Sequence, residues 1–252
     1  FRRVLFRSYG NSIDDILIAL NEKRERISVL NDYDSYLQKL EQQLAKKEKE
    51  LAQISDEVSE IRQRSAVKLV SEIKSALNDL NFLDVQFDMQ FDRLPDYTAN
   101  GIDAPEFLIS TNPGEPLKPL GKVASGGELS RIMLGIKTIM AENDHIESLI
   151  FDEIDSGISG RTAQMVSEKM NELGRNHQII CITHLPQIAA MADAHFLIEK
   201  AVENKSTVSR IRRLTDNDSV AELARMLGGA KITDTVMESA REMKALAMEK
   251  KI

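Results

Sequence analysis

Two adjacent carboxylates are the first residues in this sequence that could do chemistry. Asp152 and Glu153 directly follow a short apolar run, Leu149-Ile150-Phe151, which has the pattern of a buried strand. Because side chains alternate along a strand, the two carboxylates should point in different directions, so that one can hold Mg²⁺ while the other addresses a water molecule. Two charges at the end of a buried strand are costly unless they have a partner or a task. The alternative is an ordinary acidic strand end at the surface.

A second segment, Ser125-Gly126-Gly127-Glu128, stands immediately before a helical pattern. Two glycines allow the backbone to approach a ligand closely, and the start of a helix directs free N–H groups and the positive end of its dipole at that ligand. Ser125 adds a hydroxyl donor. Such a helix start suits a terminal phosphate, although the same residue types also form a plain loop and helix cap.

His184 follows Thr183 at the end of the next apolar run, Ile179 to Ile182. Two apolar strands joined by a helix, here about 161–173, predict a βαβ unit with a parallel sheet that is buried on both faces. Ligands bind beyond the carboxyl ends of such strands, so His184 and the two acids should share one edge. A histidine at this position can also be a structural hydrogen-bonding residue.

In this order, four segments resemble the motifs of ABC-type ATPases. ASGGELSR resembles the signature, LIFDEID the Walker B strand, residues 155–160 the D-loop and THLPQIA the switch histidine. Longer stretches, NPGEPLKPLGKVASGGELSRIMLGIK, HLPQIA and ARMLGG, resemble the RecN family of SMC-like bacterial DNA-repair proteins. The resemblance runs from about Tyr9 to the C-terminus and covers the latter half of that family's chain.

The resemblance implies that ATP and Mg²⁺ are the cofactors and assigns roles to the site residues. Asp152 would help to hold the magnesium, Glu153 would polarise the attacking water, and His184 would sense and stabilise the γ-phosphate. Within the signature, Ser125 and Gly127 would contact the γ-phosphate of ATP bound by the opposite head.

Gly126 and Glu128 belong to the same nucleotide-binding signature, and Asp155 would help to set the interface between two heads. The implied protein is a homodimer through its heads that hydrolyses ATP between them, with DNA as a partner, in recombinational repair of double-strand breaks. Two alternatives stay open. One is another SMC- or Rad50-like head fragment, and the other is a non-catalytic coiled-coil dimerisation module, against which the intact pair Asp152 and Glu153 argues.

A Walker A loop, G-x-x-x-x-G-K-[ST], does not occur in the sequence. The nearest candidate, from Gly114 to Lys122, has six residues between its glycines and Val123 where the hydroxyl should stand. In the RecN family this loop and the other coiled-coil arm lie upstream. The resemblance therefore implies that the N-terminal half of the same protein is a partner, and that this chain alone is inactive.

A heptad pattern dominates the first third of the chain, which contains no proline before Pro95. Apolar or aromatic residues fill nine of ten seam positions: Leu30, Leu37, Leu44, Leu51, Val58 and, three places later, Tyr33, Leu40, Lys47, Ile54, Ile61. This spacing predicts a coiled coil, with a long amphipathic helix on a globular core as the alternative. A second phase continues the helix after a register shift: Val70, Ile73, Leu77, Leu80.

These patterns and the resemblance together predict three segments: residues 1–8, a non-native or stray segment; 9–80, a coiled-coil arm; and 81–252, which the resemblance implies is the C-terminal lobe of an ABC-type ATPase head. Strands are predicted at 83–91, around 107–109 and in a hairpin that turns near Glu203-Asn204, before two closing helices. The fold class is α/β, the C-terminal lobe of an ABC/SMC-type head with a partly parallel sheet flanked by helices, plus a long coiled-coil helix.

Composition limits the partners. The formal net charge of −7 argues against a protein that coats nucleic acid, so any DNA contact must be local, with Arg210 and Arg212 on the terminal hairpin as candidates. A charged strand edge that blocks aggregation is the alternative for these arginines. The single cysteine, Cys181, is expected to pack in a strand. With no long apolar run or signal peptide, the predicted location is the bacterial cytoplasm, at the nucleoid.

Overall fold

The computed structural model describes residues 9, 12–123, 125–141, 146–203, 206–229 and 231–251. Residues 1–8 and Asn204, at the predicted hairpin turn, lie outside the described residues. The elements follow in this order: α1 (Ile13–Asp79), β1 (Gln86–Thr98), β2 (Gly101–Ser110), β3 (Lys118–Pro119), a 3₁₀ turn (Leu120–Lys122), α2 (Gly126–Met140), β4 (Ser148–Phe151), α3 (Gly160–Leu173), β5 (Gln178–Cys181), α4 (Pro186–Ala190), β6 (Phe196–Glu203), β7 (Ser206–Arg213), α5 (Asp216–Gly228) and α6 (Asp234–Glu249).

The chain divides into two compact units. One contains Phe1–Arg62 with Pro95–Ile102, and the other contains Gln63–Leu94 with Asp103–Ile252. The last turns of α1 therefore belong to the second unit. The division between arm and head at 80/81, expected from the change in hydrophobic pattern, stays a prediction.

Helix α1 runs without interruption for 67 residues, as the heptad pattern predicts. Neither proline nor glycine occurs between its ends, so nothing in the sequence breaks it. Its predicted seam is open to solvent, with the following side chains between 38% and 60% exposed: Leu30, Tyr33, Leu37, Leu40, Leu44, Leu51, Ile54, Ile61. Among the described residues, no helix is both long and apolar enough to cross a membrane.

A three-stranded sheet in the order β1-β2-β3 follows α1. The turn between β1 and β2 uses Gly101 at φ +96°, a conformation that residues with a Cβ rarely adopt. Strand β3 pairs antiparallel with β2, with Leu108 opposite Pro119. Phe87 of β1 and Phe107 of β2 pack with their ring centroids 5.3 Å apart. The predicted strands are present, and β1 begins three residues later than the alternating pattern suggests.

Strands β4 and β5 form the predicted parallel pair, joined through α3, with Ser148 opposite Gln178 and Phe151 opposite Cys181. One face of this pair packs on the core. The other face is exposed, and its residues are Ile150 (70% exposed), Ile180 (46%) and Ile182 (52%). The expectation that both faces are buried is wrong for the described residues, because Leu149, Phe151, Ile179 and Cys181 pack in the core whereas the alternate residues are exposed.

The main core joins the last turns of α1 to α2, α3 and the β4–β5 pair. Its fully or almost fully buried members include Ile73, Leu77, Leu80, Ile132, Leu134, Ile154, Val166 and Leu173. Each buried side chain of this size contributes roughly 1.5–3 kcal/mol to folding. Gly135 allows α2 to approach α1 closely, since a Cβ there would lie 3.1 Å from Leu77 Cδ2.

A second, smaller core cluster joins α4, α5 and α6, and α4 is a short helix that the sequence patterns did not predict. The predicted hairpin and the two closing helices are confirmed, with β6 antiparallel to β7. Helix α5 begins at a capping box in which the Thr215 hydroxyl accepts from the N–H of Asp218 and the Asp218 carboxylate accepts from the N–H of Thr215.

Candidate functional site

The acidic turn (residues 152–156) follows β4 directly. Buried Ile154 anchors it in the core, while the side chains of Asp152 and Glu153 are exposed. Glu153 has φ +57°, a left-handed conformation that costs a residue with a Cβ about 1–2 kcal/mol. The turn is held by its own hydrogen bonds, since the N–H of Glu153 donates to Asp152 Oδ1 (2.9 Å) and its carbonyl accepts from the N–H of Ser156 (2.9 Å).

The glycine start (residues 126–127) of α2 lies against this acidic turn. A Cβ on Gly126 would lie 2.7 Å from Glu153 Oε2, and one on Gly127 would lie 2.9 Å from the carbonyl oxygen of Glu153 and 2.9 Å from Ser156 Cβ. Ser125 caps the helix, because its hydroxyl accepts from the N–H of Glu128 at 3.3 Å. The two glycines thus allow the positive end of α2 to meet the carboxylate of Glu153 within one chain.

Two further residues of α2 fasten the acidic turn. Ser130 Oγ donates to the carbonyl of Asp152 (2.9 Å), and Arg131 Nη1 donates to the carbonyls of Ile154 (3.2 Å) and Ser156 (2.9 Å). Arg131 is buried, which lowers its pKa against the opposing effect of the Glu128 charge.

Neither Ser130 nor Arg131 has a role that the sequence motifs predict. They stand four residues after Gly126 and Gly127, and residues at that spacing share a helix face. The helical period could therefore have indicated that all four residues point to the same neighbour.

Asp155 links the acidic turn to the end of β5. Its buried Oδ2 accepts hydrogen bonds from Thr183 Oγ1 (2.6 Å) and the N–H of His184 (2.8 Å), and lies 3.0 Å from His184 Nδ1. The His184 ring itself is 73% exposed. The prediction that His184 and the acidic segment share one sheet edge is confirmed. The role expected for Asp155 at an interface between heads stays a prediction, and its carboxylate lies in the interior.

Sequence comparison places the chain among known proteins. It is 41% identical over 254 residues to the DNA repair protein RecN of Bacillus subtilis strain 168. It is also 39% identical over 247 residues to the RecN of Halalkalibacterium halodurans. These alignments cover 95% and 96% of the chain.

The chain is thus homologous to proteins named RecN over about 95% of its own length. It spans 44% of the length of each of these two RecN proteins. No protein-family model matches it. A solved Smc head domain with a coiled coil and joint, from Pyrococcus yayanosii, aligns with 84% of the chain and 38% of that structure, at a TM-score of 0.56 and 19% identity. The predicted fold class, a lobe of an SMC-type head with a long coiled-coil helix, is thereby confirmed.

The oxygen atoms at the acidic turn of this chain fit a magnesium ion that also binds water and phosphate. They do not fit a metal ion that is bound by protein side chains alone. Among the described residues, no group of three or more His, Cys, Asp or Glu side chains could hold a metal ion. Asp152 offers carboxylate oxygens at the exposed end of β4. Magnesium is usually bound by one or two carboxylates together with water and substrate phosphates, so a single carboxylate at this edge fits it.

Cys181 lies beside the site but is poorly suited to react. Burial, with the nearby charges of Asp155 and Asp152, raises the pKa of its thiol to about 12. At neutral pH the nucleophilic thiolate is therefore scarce, in line with the packing role expected for this cysteine.

The two arginines of the hairpin have acidic neighbours. Arg210 stands opposite Glu199 in the β6–β7 register, and Arg212 pairs with Asp218 at 3.5 Å. Both arginines are exposed. A phosphate at this surface would compete with these carboxylates.

Proposed function

We propose that this chain forms part of a RecN-type ATPase head, in which ATP is hydrolysed between two dimerised heads during recombinational repair of DNA double-strand breaks. One observation carries the proposal: the exposed side chains of Asp152, Glu153 and His184 all follow the ends of the parallel strands β4 and β5, at one edge of the sheet. Two relatives named DNA repair protein RecN support the biological context.

Each exposed side chain of the site would have a separate role in ATP hydrolysis. Glu153 would accept a hydrogen bond from the attacking water and orient it, and His184 would donate a hydrogen bond to the terminal phosphate. Asp152 would hold Mg²⁺, which when bound neutralises charge on the phosphate oxygens. Ser125, Gly126, Gly127 and Glu128 would present the start of α2 to the γ-phosphate of ATP on the opposite head.

The N-terminal half of the same protein would supply the loop that holds most of the triphosphate. Parallel sheets are normally covered on both faces. The exposed face made by Ile150, Ile180 and Ile182 is the natural seat for such a lobe. The open seam of α1 would receive the second coiled-coil arm, because a heptad stripe is stabilised by a facing helix.

Reconstitution tests this function. The chain alone should show no magnesium-dependent ATP turnover, and co-expression with the N-terminal half of its protein should restore it. In the reconstituted protein, Glu153→Gln should preserve ATP binding and slow turnover by about two orders of magnitude or more, since the amide keeps the shape but cannot act as a base. Strong turnover by the pure chain alone, or by the Glu153→Gln protein, would contradict the proposal.

A further inference from the structure

The carboxylate of Asp155 accepts two hydrogen bonds at the end of β5 through one oxygen, which also lies close to the ring of His184. Oδ2 accepts from the Thr183 hydroxyl and the His184 backbone N–H, and the His184 ring nitrogen Nδ1 lies 3.0 Å away. The carboxylate is buried, with 5% of its side chain exposed, whereas the ring is 73% exposed. The Nδ1 edge of the imidazole ring therefore lies beside a buried carboxylate, while the opposite edge reaches solvent.

This arrangement dictates where the ring carries hydrogen. A carboxylate oxygen repels a lone pair and only accepts hydrogen bonds, so a hydrogen on Nδ1 is favoured at this distance. The far nitrogen, Nε2, then either carries a lone pair or, in the doubly protonated ring, a second hydrogen. Only the doubly protonated ring can donate from Nε2 to a phosphate oxygen while Nδ1 keeps its bond to Asp155. The buried carboxylate provides the balancing negative charge for that ring.

We propose that Asp155 is a positioning residue that fixes the orientation and the Nδ1–H state of His184, so that Nε2 faces outward and, in the doubly protonated ring, donates to a terminal phosphate. The proposal deepens the function proposed above and rests on it only for the identity of the phosphate. In this proposal, the buried carboxylate of Asp155 orients His184 of the same chain. The acidic turn then carries both Glu153 and the group that orients His184, and α2 holds that turn through Ser130 and Arg131.

Nitrogen-15 NMR of the histidine rings tests the positioning role without any hydrolysis. In the chain as it exists, the neutral ring of His184 should carry its hydrogen on Nδ1. His177 is the internal reference, because its Nδ1 lies 2.6 Å from the carbonyl oxygen of Ile146 and must also carry the hydrogen. A His184→Gln variant assigns the signal. A wild-type His184 ring with its hydrogen on Nε2 would overturn the proposal.

Variants separate this contact from its neighbours. Asp155→Ala should release the ring and remove its preference for Nδ1–H. Thr183→Val should leave the ring state unchanged, since it removes a different hydrogen bond to the same oxygen. An unchanged ring state in a folded Asp155→Ala protein would overturn the proposal, as would the loss of Nδ1–H in Thr183→Val.

Turnover of the reconstituted protein gives an independent reading. Asp155→Asn keeps an acceptor for Thr183 and the backbone but loses the charge, so kcat should fall by roughly ten- to a hundredfold with little change in KM. In a protein that already carries His184→Ala, Asp155→Asn should cause no further loss, because the carboxylate acts through the ring. Fully additive losses would overturn the proposal. If reconstitution gives no ATPase at all, the proposed function fails while the ring measurement still decides the role of Asp155.

Discussion

At the scale of single residues, the backbone of Glu153 is where the site stores strain. Its φ of +57° is held by the buried neighbour Ile154 and by the hydrogen bond from Ser156 N–H to its carbonyl. Residues held in sparsely populated conformations concentrate at functional sites, where the surrounding structure imposes them. The strained turn brings the Glu153 side chain to the start of α2.

Because of this strain, the residue that makes the chain most stable at position 153 should differ from the residue that hydrolysis requires. Glu153→Gly should be more stable than Glu153→Ala by about 1 kcal/mol, because glycine adopts positive φ at little cost. Both variants should lose hydrolysis in the reconstituted protein. Urea unfolding of the chain measures the difference. The strain account fails if Glu153→Ala proves equal to or more stable than Glu153→Gly.

At this scale, sequence patterns suggested candidate site residues but not the contacts that hold them. Four residues stand out in the sequence: Asp152, Glu153, Ser125 and His184. They stand out because charged residues and glycines at the ends of helices and strands have few structural reasons to occur there. The bonds from Arg131 to the carbonyls of the acidic turn join residues more than 20 positions apart. Such contacts depend on how α2 lies over β4, which periodicity does not specify.

At the scale of elements, α2 acts as the support of the acidic turn. Removing its arginine tests this. Arg131→Met keeps a long apolar stem but leaves two carbonyls without their donor, so it should destabilise the chain by roughly 1–3 kcal/mol. The control is Arg241→Met, at an exposed arginine paired with Glu238 on α6, which should change stability by less than about 0.5 kcal/mol. Equal effects of the two substitutions in thermal or urea unfolding would remove the supporting role from Arg131.

The elements themselves were largely predictable, and the exceptions have physical causes. Long heptads and alternating residues give strong periodic signals, so α1 and the hairpins were found. The residues Ile73, Leu77 and Leu80 have the same spacing as a coiled-coil seam, yet they fill the core of the second unit. Apolar spacing indicates a face that a partner can cover, and it does not show whether a helix or a sheet covers it.

At the scale of the whole molecule, the exposed β4–β5 face and the negative net charge limit which partners can bind and where. A net charge of −7 repels DNA, so a contact must come from a local basic surface. On the described hairpin, Arg210 and Arg212 are exposed and lie two residues apart on one strand, each near a carboxylate.

Replacing both arginines tests a DNA contact there. In the reconstituted protein, Arg210→Gln with Arg212→Gln should weaken DNA binding and lower the slope of log affinity against log salt by about 1–2, because fewer counterions are released. Arg241→Gln, which removes one exposed arginine on α6, is the control. Fluorescence anisotropy at several salt concentrations measures the slope. If the double variant keeps the wild-type affinity and slope, the DNA contact lies elsewhere.

The central claim, a site completed by two heads, is tested most directly by mixing two inactive variants of the reconstituted protein. Ser125→Arg fills the space before α2, and a second variant removes the phosphate-binding loop of the N-terminal half. Arg241→Gln, at an exposed residue of α6, is the control and should retain turnover. In mixed dimers both lesions fall on one site, so an equimolar mixture should recover about one quarter of wild-type ATP turnover. No recovery, with mixed dimers demonstrated by differently tagged subunits, would contradict the account.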